Sequence, residues 1–392
     1  MNTAADHQRT RTTAAPPATT AKSSLGSLQA GRGIAALLVV LFHCNGLFNS
    51  GEYFKTSPFG RFFEFGDAGV YFFFVLSGFI IFHAHARDIG RRERIGTYLT
   101  RRVIRIYPLY LIVMAVVVPV YFVHPQFGGE SNRSFWSVLS SLTLISDGTT
   151  VPILAVSWTL FHEVMFYAVF AAVIWNARIG AIILAGWVAV SACFLHTASA
   201  RLGYFFSPLH LLFGFGILAN LWLRAGRSVP AGLFAVAGTA GFFAIGMDRV
   251  YFGLIPSSLL PWAYGAAATV AVLGMARLEM AGRLRIPGWL LLTGDASYAI
   301  YLVHFPALSA LAKVFSRVSI LPPVVSFLIM AILAAVPGYL AYLLIERPLG
   351  ARLKTSLGRS TRVPTSARTK ERAIDLQQPP VVLIDKGGRD VP

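Results

Sequence analysis

Arg32-Gly-Ile-Ala-Ala-Leu-Leu-Val-Val-Leu-Phe-His43 sets a cation and an imidazole at the two ends of a run that is otherwise apolar or glycine. At about 1.5 Å per residue, a helix lifts His43 roughly 16 Å above Arg32. With Arg32 at a membrane surface, His43 lies near the middle of a hydrocarbon core about 30 Å thick. Ionisable groups at that depth are costly, and they mark function by default. The stretch reads as a membrane span that carries chemistry.

The rest of the chain repeats the apolar pattern. Of 392 residues, 55% are hydrophobic and 13% charged, against about 25% charged in a soluble domain. Apolar runs near the length of a bilayer crossing recur at roughly 31–48, 68–86, 107–124, 153–175, 179–196, 205–223, 230–247, 258–276, 289–311 and 321–345. They predict an all-α polytopic membrane protein with about ten transmembrane helices around a polar cavity. Strand-type alternation is missing, so a membrane β-barrel is not supported.

Charge tests this layout. With a cytoplasmic N-terminus and ten spans, both tails and every second loop face the cytoplasm. Of the 34 Lys and Arg, only Lys55, Arg61, Arg133, Arg201, Arg249, Lys313 and Arg317 then fall outside. That skew follows the positive-inside rule, and it accounts for the net charge of +17 without a nucleic-acid partner. Cys44 and Cys193 fall inside spans and form neither a disulfide framework nor a metal spacing. Residues 1–25 are rich in Thr, Ala and Pro, without the apolar core of a removable signal peptide. They read as a disordered cytoplasmic tail, residues 26–350 as one transmembrane domain, and residues 351–392 as a second disordered cytoplasmic tail.

Polar residues inside the spans, and the basic loop at 87–106 before the third, are the candidates for chemistry. Arg101, Arg102 and Arg105 share one side of a helical stretch, with Leu99, Val103 and Ile106 expected on another. Such a cluster meets either anionic lipid headgroups or a polyphosphate ligand, since guanidinium groups grip phosphate in a bidentate way. Glu163 lies about ten residues deep in its span and needs a partner, for which His43 and His162 are the candidates. A carboxylate so paired either joins helices or orients a catalytic imidazole. Ser297, Tyr301 and His304 recur on one helix face and line an interface or a cavity. Ser77 and Gly78 mark a place of close approach. No residue pattern calls for a metal.

Taken together, six motifs in order resemble the acyltransferase-3 family of integral-membrane O-acyltransferases, over roughly residues 26–350. They are Arg32 to His43, Phe74-Val-Leu-Ser-Gly-Phe79, Arg101-Arg-Val-Ile-Arg-Ile-Tyr-Pro108, Ser157-Trp-Thr-Leu-Phe-His-Glu163, Ser297-Tyr-Ala-Ile-Tyr-Leu-Val-His304 and Glu346-Arg-Pro348. The resemblance implies acyl transfer from a cytoplasmic donor, acetyl-coenzyme A with succinyl-coenzyme A as the alternative, to a glycan hydroxyl. It implies catalytic roles for His43 and Glu163 and donor binding by Arg32, Arg101, Arg102 and Arg105. Ser77, Trp158, Ser297, Tyr301 and His304 are then expected around the cavity. The expected setting is a bacterial inner membrane with both termini cytoplasmic. The acceptor is expected to be a surface or secreted polysaccharide or its lipid-linked precursor. The chain either transfers directly or hands the acyl group to a polysaccharide-assembly partner. A transporter or flippase for a lipid-linked sugar would share the ten spans and the polar cavity, and is the alternative.

Overall fold

Backbone polar groups in hydrocarbon must be satisfied within their own segment, so apolar runs of this length form helices. The computed structural model describes residues 25–124, 134–193, 200–317 and 321–360. Its helices are α1 (Gly26–Asn49), α2 (Ala68–His85), α3 (Ile95–Val123), α4 (Phe135–Thr143), α5 (Trp158–Trp175), α6 (Ala177–Cys193) and α7 (Ala200–Phe205). After them come α8 (His210–Arg224), α9 (Ala231–Met247), α10 (Leu260–Met280), α11 (Gly288–Asp295), α12 (Ser297–Phe315), α13 (Pro323–Ala341) and α14 (Arg347–Ser360). Two π-helical turns, Asp248–Phe252 and Tyr342–Glu346, extend α9 and α13. No strand occurs among the described residues. The protein is an all-α polytopic membrane protein.

Nine helical segments among the described residues are long and apolar enough to cross a membrane. They coincide with nine of the ten expected spans. The tenth, at 179–196, falls on α6, which has 17 described residues. Its last three positions lie outside the described residues.

Helix α1 sits at the centre and packs against α2, α10, α11, α12 and α13. Its register against α11 and α12 is set by glycine. A Cβ on Gly33 would lie 2.9 Å from the Gly294 nitrogen, and one on Gly294 only 2.1 Å from the Gln29 carbonyl oxygen. Gln29 also donates its side-chain amide to Asp295. Backbones this close leave no room for a methyl group. Gly294→Ala is therefore expected to cost about 1–3 kcal/mol through overpacking, read as a lowered thermal unfolding temperature in detergent.

Three expectations about local structure change. The 289–311 span breaks at Ala296 into α11 and α12, where the Gly294–Gln29 contact holds the chain. The basic stretch forms the first turns of the long helix α3, and the face that Leu99, Val103 and Ile106 share is not uniformly covered along its length. Leu99 and Val103 are exposed, whereas Ile106 is buried beside Leu109 and Tyr110. Lipid and protein core are both apolar, so the pattern alone does not assign these faces. Finally, the chain past residue 350 is not disordered at once: α14 runs to Ser360. Leu349 and Leu353, four apart, give it one apolar stripe. The expected tails at 1–24 and 361–392 lie outside the described residues.

Candidate active site

Helices α1, α2, α3, α5, α12 and α14 enclose a cavity of about 1130 Å³. That exceeds the range of roughly 300–1,000 Å³ usual for drug-sized ligands, so a long ligand is accommodated. Its basic end is formed by Arg101 and Thr97 of α3 and by Arg347, Gly350 and Ala351 of α14. Arg32, Arg102 and Arg105 line it too. Toward the other end stand Phe73, Thr159 and Tyr301.

The arginines differ in their partners. Arg105 pairs with Glu346 and lies over the Tyr298 ring, 5.3 Å from its centroid. Arg102 is clasped between the rings of Tyr98 and Tyr167, at 5.9 and 5.6 Å. Its Nη2 lies 3.4 Å from His85 Nε2. A guanidinium only donates, so His85 Nε2 accepts, and its Nδ1–H faces Asp88 Oδ2 at 2.8 Å. The Arg102 Nε is buried without a hydrogen-bond partner, and so is the Ser297 hydroxyl in the cavity wall. Arg101 is exposed at the mouth. Unmet buried donors beside a cluster of cations suit an anionic ligand with further acceptors.

Glu163 has partners other than those expected. Ser77 Oγ donates to its Oε1 at 3.1 Å, and the Tyr167 hydroxyl donates to the same oxygen. No hydrogen bond joins it to His43 or His162. His162 faces inward toward α8 instead, its Nδ1 2.9 Å from His210 Nε2. The cause is helix periodicity: Tyr167 is one turn from Glu163 on the cavity side, while the adjacent residue His162 points away from it. Trp158 also lies outside the cavity lining. As the first residue of α5 it is exposed, with its indole edge-on to His162 at 5.8 Å.

His43 and His304 do not line the cavity either. They meet each other, His304 Nε2 lying 3.1 Å from His43 Nδ1. Tyr301 connects this pair to the cavity: it lines the cavity wall, and its ring lies 5.8 Å from that of His304. The Tyr301 hydroxyl is held by Thr159 Oγ1 and the Val156 carbonyl, both at 2.9 Å. His43 is six residues from the end of α1 at Asn49, so it lies about 9 Å from the face opposite the basic mouth. The arrangement suits a ligand entering from the basic end and a second reactant reaching the imidazole from the other.

Site residues that the sequence reading did not select are Tyr167, Thr159, Tyr298, Glu346 and Arg347. All but Tyr167 lie within the quoted motifs, Thr159 and Tyr298 in two of them and Glu346 and Arg347 in Glu346-Arg-Pro348. Among the described residues, no group of three or more His, Cys, Asp or Glu side chains is placed to hold a metal ion.

Comparison with known proteins agrees with the geometry. The chain is 32% identical over 339 residues to the exopolysaccharide production protein ExoZ of Rhizobium meliloti (strain 1021), covering 81% of this chain and 96% of that protein. It is 26% identical over 189 residues to protein 2 in the picA locus of Rhizobium radiobacter, covering 43% of this chain and 92% of that protein. No solved structure matches. Residues 25–343 match the family described as the acyltransferase domain, of the acyltransferase-3 type. The chain belongs to that family and is a membrane-embedded acyltransferase.

Proposed function

We propose that the enzyme moves an acetyl group from acetyl-coenzyme A to a hydroxyl of an exopolysaccharide, or of its lipid-linked precursor. The observation that carries this reading is the cavity itself. Arginines line it, Phe73 and Tyr301 pack against each other in its wall, and Tyr301 touches His304, the partner of His43. ExoZ, whose name refers to exopolysaccharide production, supports the choice of acceptor. The basic mouth and both termini face the cytoplasm of a bacterial inner membrane in this reading, consistent with the charge skew.

The roles then follow from chemistry. Arg101, Arg102 and Arg347 bind the phosphates of the donor, with Arg32 and Arg105 deeper along its length. Glu163, with Ser77 and Tyr167, forms the polar wall past which the acyl arm runs. His43 Nε2 takes the proton of the acceptor hydroxyl as its oxygen bonds to the acyl carbon. It returns that proton to the sulfur as the C–S bond breaks. The chain transfers directly or hands the acyl group to a polysaccharide-assembly partner.

The test is the ester content of exopolysaccharide from a deletion strain, with and without the restored gene, read by mass spectrometry and proton NMR. Acetyl esters that return with the gene establish acceptor and acyl group together. Succinyl esters would replace the donor, and esters unchanged by deletion would remove exopolysaccharide as the acceptor.

Donor binding makes a separate prediction. Arg102→Ala removes a stacked cation with charge-assisted hydrogen bonds worth about 1.5–3 kcal/mol. The KM for acetyl-coenzyme A is expected to rise about tenfold to a hundredfold, with kcat changed far less. An initial-rate series on purified enzyme in nanodiscs decides it. A fall confined to kcat would move Arg102 out of donor binding.

A further inference from the structure

We propose that His304 is a positioning residue that holds His43 in the one tautomer able to act as a base. The proposal rests on the reading of His43 as general base and goes beyond it by naming what orients the ring.

The register of two helices brings the residues together. Gly33 of α1 and Gly294 of α11 touch. His43 and His304 each lie ten residues further along their chains. Helical hydrogen bonds run on through the break at Ala296, from its N–H to the Leu292 carbonyl and from the Ile300 N–H to its own, so the rise carries on and the two histidines come level, about 15 Å on from the glycine contact. Phe42 and Phe305 flank the His43 ring edge-on, at 4.9 and 5.1 Å. His304 is completely buried.

Hydrogen bonds then assign the protons. His304 Nδ1 lies 3.1 Å from the Ile300 carbonyl oxygen, and His43 Nδ1 lies 3.0 Å from that of Val39. A carbonyl oxygen only accepts, so both Nδ1 atoms carry hydrogen. In the neutral ring, His304 Nε2 is therefore a lone pair, and it faces His43 Nδ1–H. His43 is left with a bare Nε2, the atom a general base needs. When Nε2 takes a proton, the Nδ1–H of the resulting imidazolium already points at two acceptors, the Val39 oxygen and His304 Nε2. A nucleophile–base pair is commonly oriented by a third group. Here that group is an imidazole, and the cavity carboxylate Glu163 is held by Ser77 and Tyr167 instead.

The experiment compares His304→Phe, His304→Gln and His43→Ala in nanodiscs, with labelled acetyl-coenzyme A and polysaccharide isolated from a deletion strain. His304→Phe keeps a ring and loses the acceptor. Its kcat is expected to fall about a hundredfold, with the KM for acetyl-coenzyme A within twofold of wild type. His304→Gln offers an amide oxygen to His43 Nδ1–H and is expected to recover most of that loss. Nitrogen-15 histidine NMR of the wild type is expected to show His43 protonated at Nδ1 and bare at Nε2. Near-normal kcat in His304→Phe with an inactive His43→Ala overturns the positioning role alone. Equal losses in the Phe and Gln variants with matching drops in unfolding temperature also overturn it, as does a His43 protonated at Nε2. An active His43→Ala instead overturns the reading of His43 on which the proposal rests.

Discussion

His43→Ala is expected to lower acyl transfer about 10²–10⁴-fold, the usual contribution of a positioned general acid–base. The KM for acetyl-coenzyme A should barely change, because the proposed donor site lies among the cavity arginines and His43 does not line that cavity. Loss of kcat and kcat/KM together is the signature of an interaction made only in the transition state. Stability should fall little, since the ring is half-buried and makes two hydrogen bonds, one to His304 and one within its own helix, beside edge-on contacts to Phe42 and Phe305. His43→Gln keeps more of the volume, takes no proton, and should be as inactive as the alanine variant. Direct transfer further predicts no label on the protein when labelled acetyl-coenzyme A is supplied without acceptor. Label bound covalently at His43 would replace the base role with an acyl-histidine relay. Ester content that stays at wild-type level in both variants would take His43 out of the chemistry.

Much of this site is legible in the sequence because membrane spans tolerate few polar residues. Arg32, Ser77, Arg101, Arg102, Arg105, Glu163, Ser297 and Tyr301 stand out against apolar neighbours, and all of them line the cavity. Their pairings are not legible. The sequence offers Glu163 two histidines as partners, and only the packing of α5 selects Ser77 and Tyr167 over them. The His43–His304 contact needs the register of helices that lie 261 residues apart. The matched spacing from Gly33 and Gly294 is present in the sequence, but nothing local says that these glycines touch. Glu346 and Arg347 look like the end of a span and the start of a tail. Their place in the cavity follows from the π-helical turn at Tyr342–Glu346, which ends on the carboxylate that meets α3. The exposed side of α3 at Leu99 and Val103 is likewise hidden, since an apolar residue is at home in lipid or in protein core.

Glu346→Leu is expected to be the most destabilising single change among the cavity residues. Arg105 and Glu346 tie the start of α3 to the turn after α13, with side chains 34% and 11% exposed. Removing one partner of a buried pair leaves the other charged in a poor solvent, at a cost of about 3–5 kcal/mol. Arg105 retains some exposure to the cavity, so the lower end of that range applies, about 3 kcal/mol. Arg105→Leu leaves Glu346 unpaired, with its second oxygen already buried and unpartnered, and should cost as much. The double replacement Arg105→Leu/Glu346→Leu removes both charges, and apolar substitution of a whole pair is often neutral. Its unfolding temperature is therefore expected to return most of the way to wild type, giving a coupling of about 2–3 kcal/mol in a double-mutant cycle. Activity should part company with stability at this point. If Arg105 also holds the donor, the restored double variant keeps a raised KM for acetyl-coenzyme A. Additive losses in stability would mean that the two charges are not coupled. A double variant with wild-type KM would confine Arg105 to bracing α3 against the turn, leaving the donor to Arg32, Arg101, Arg102 and Arg347.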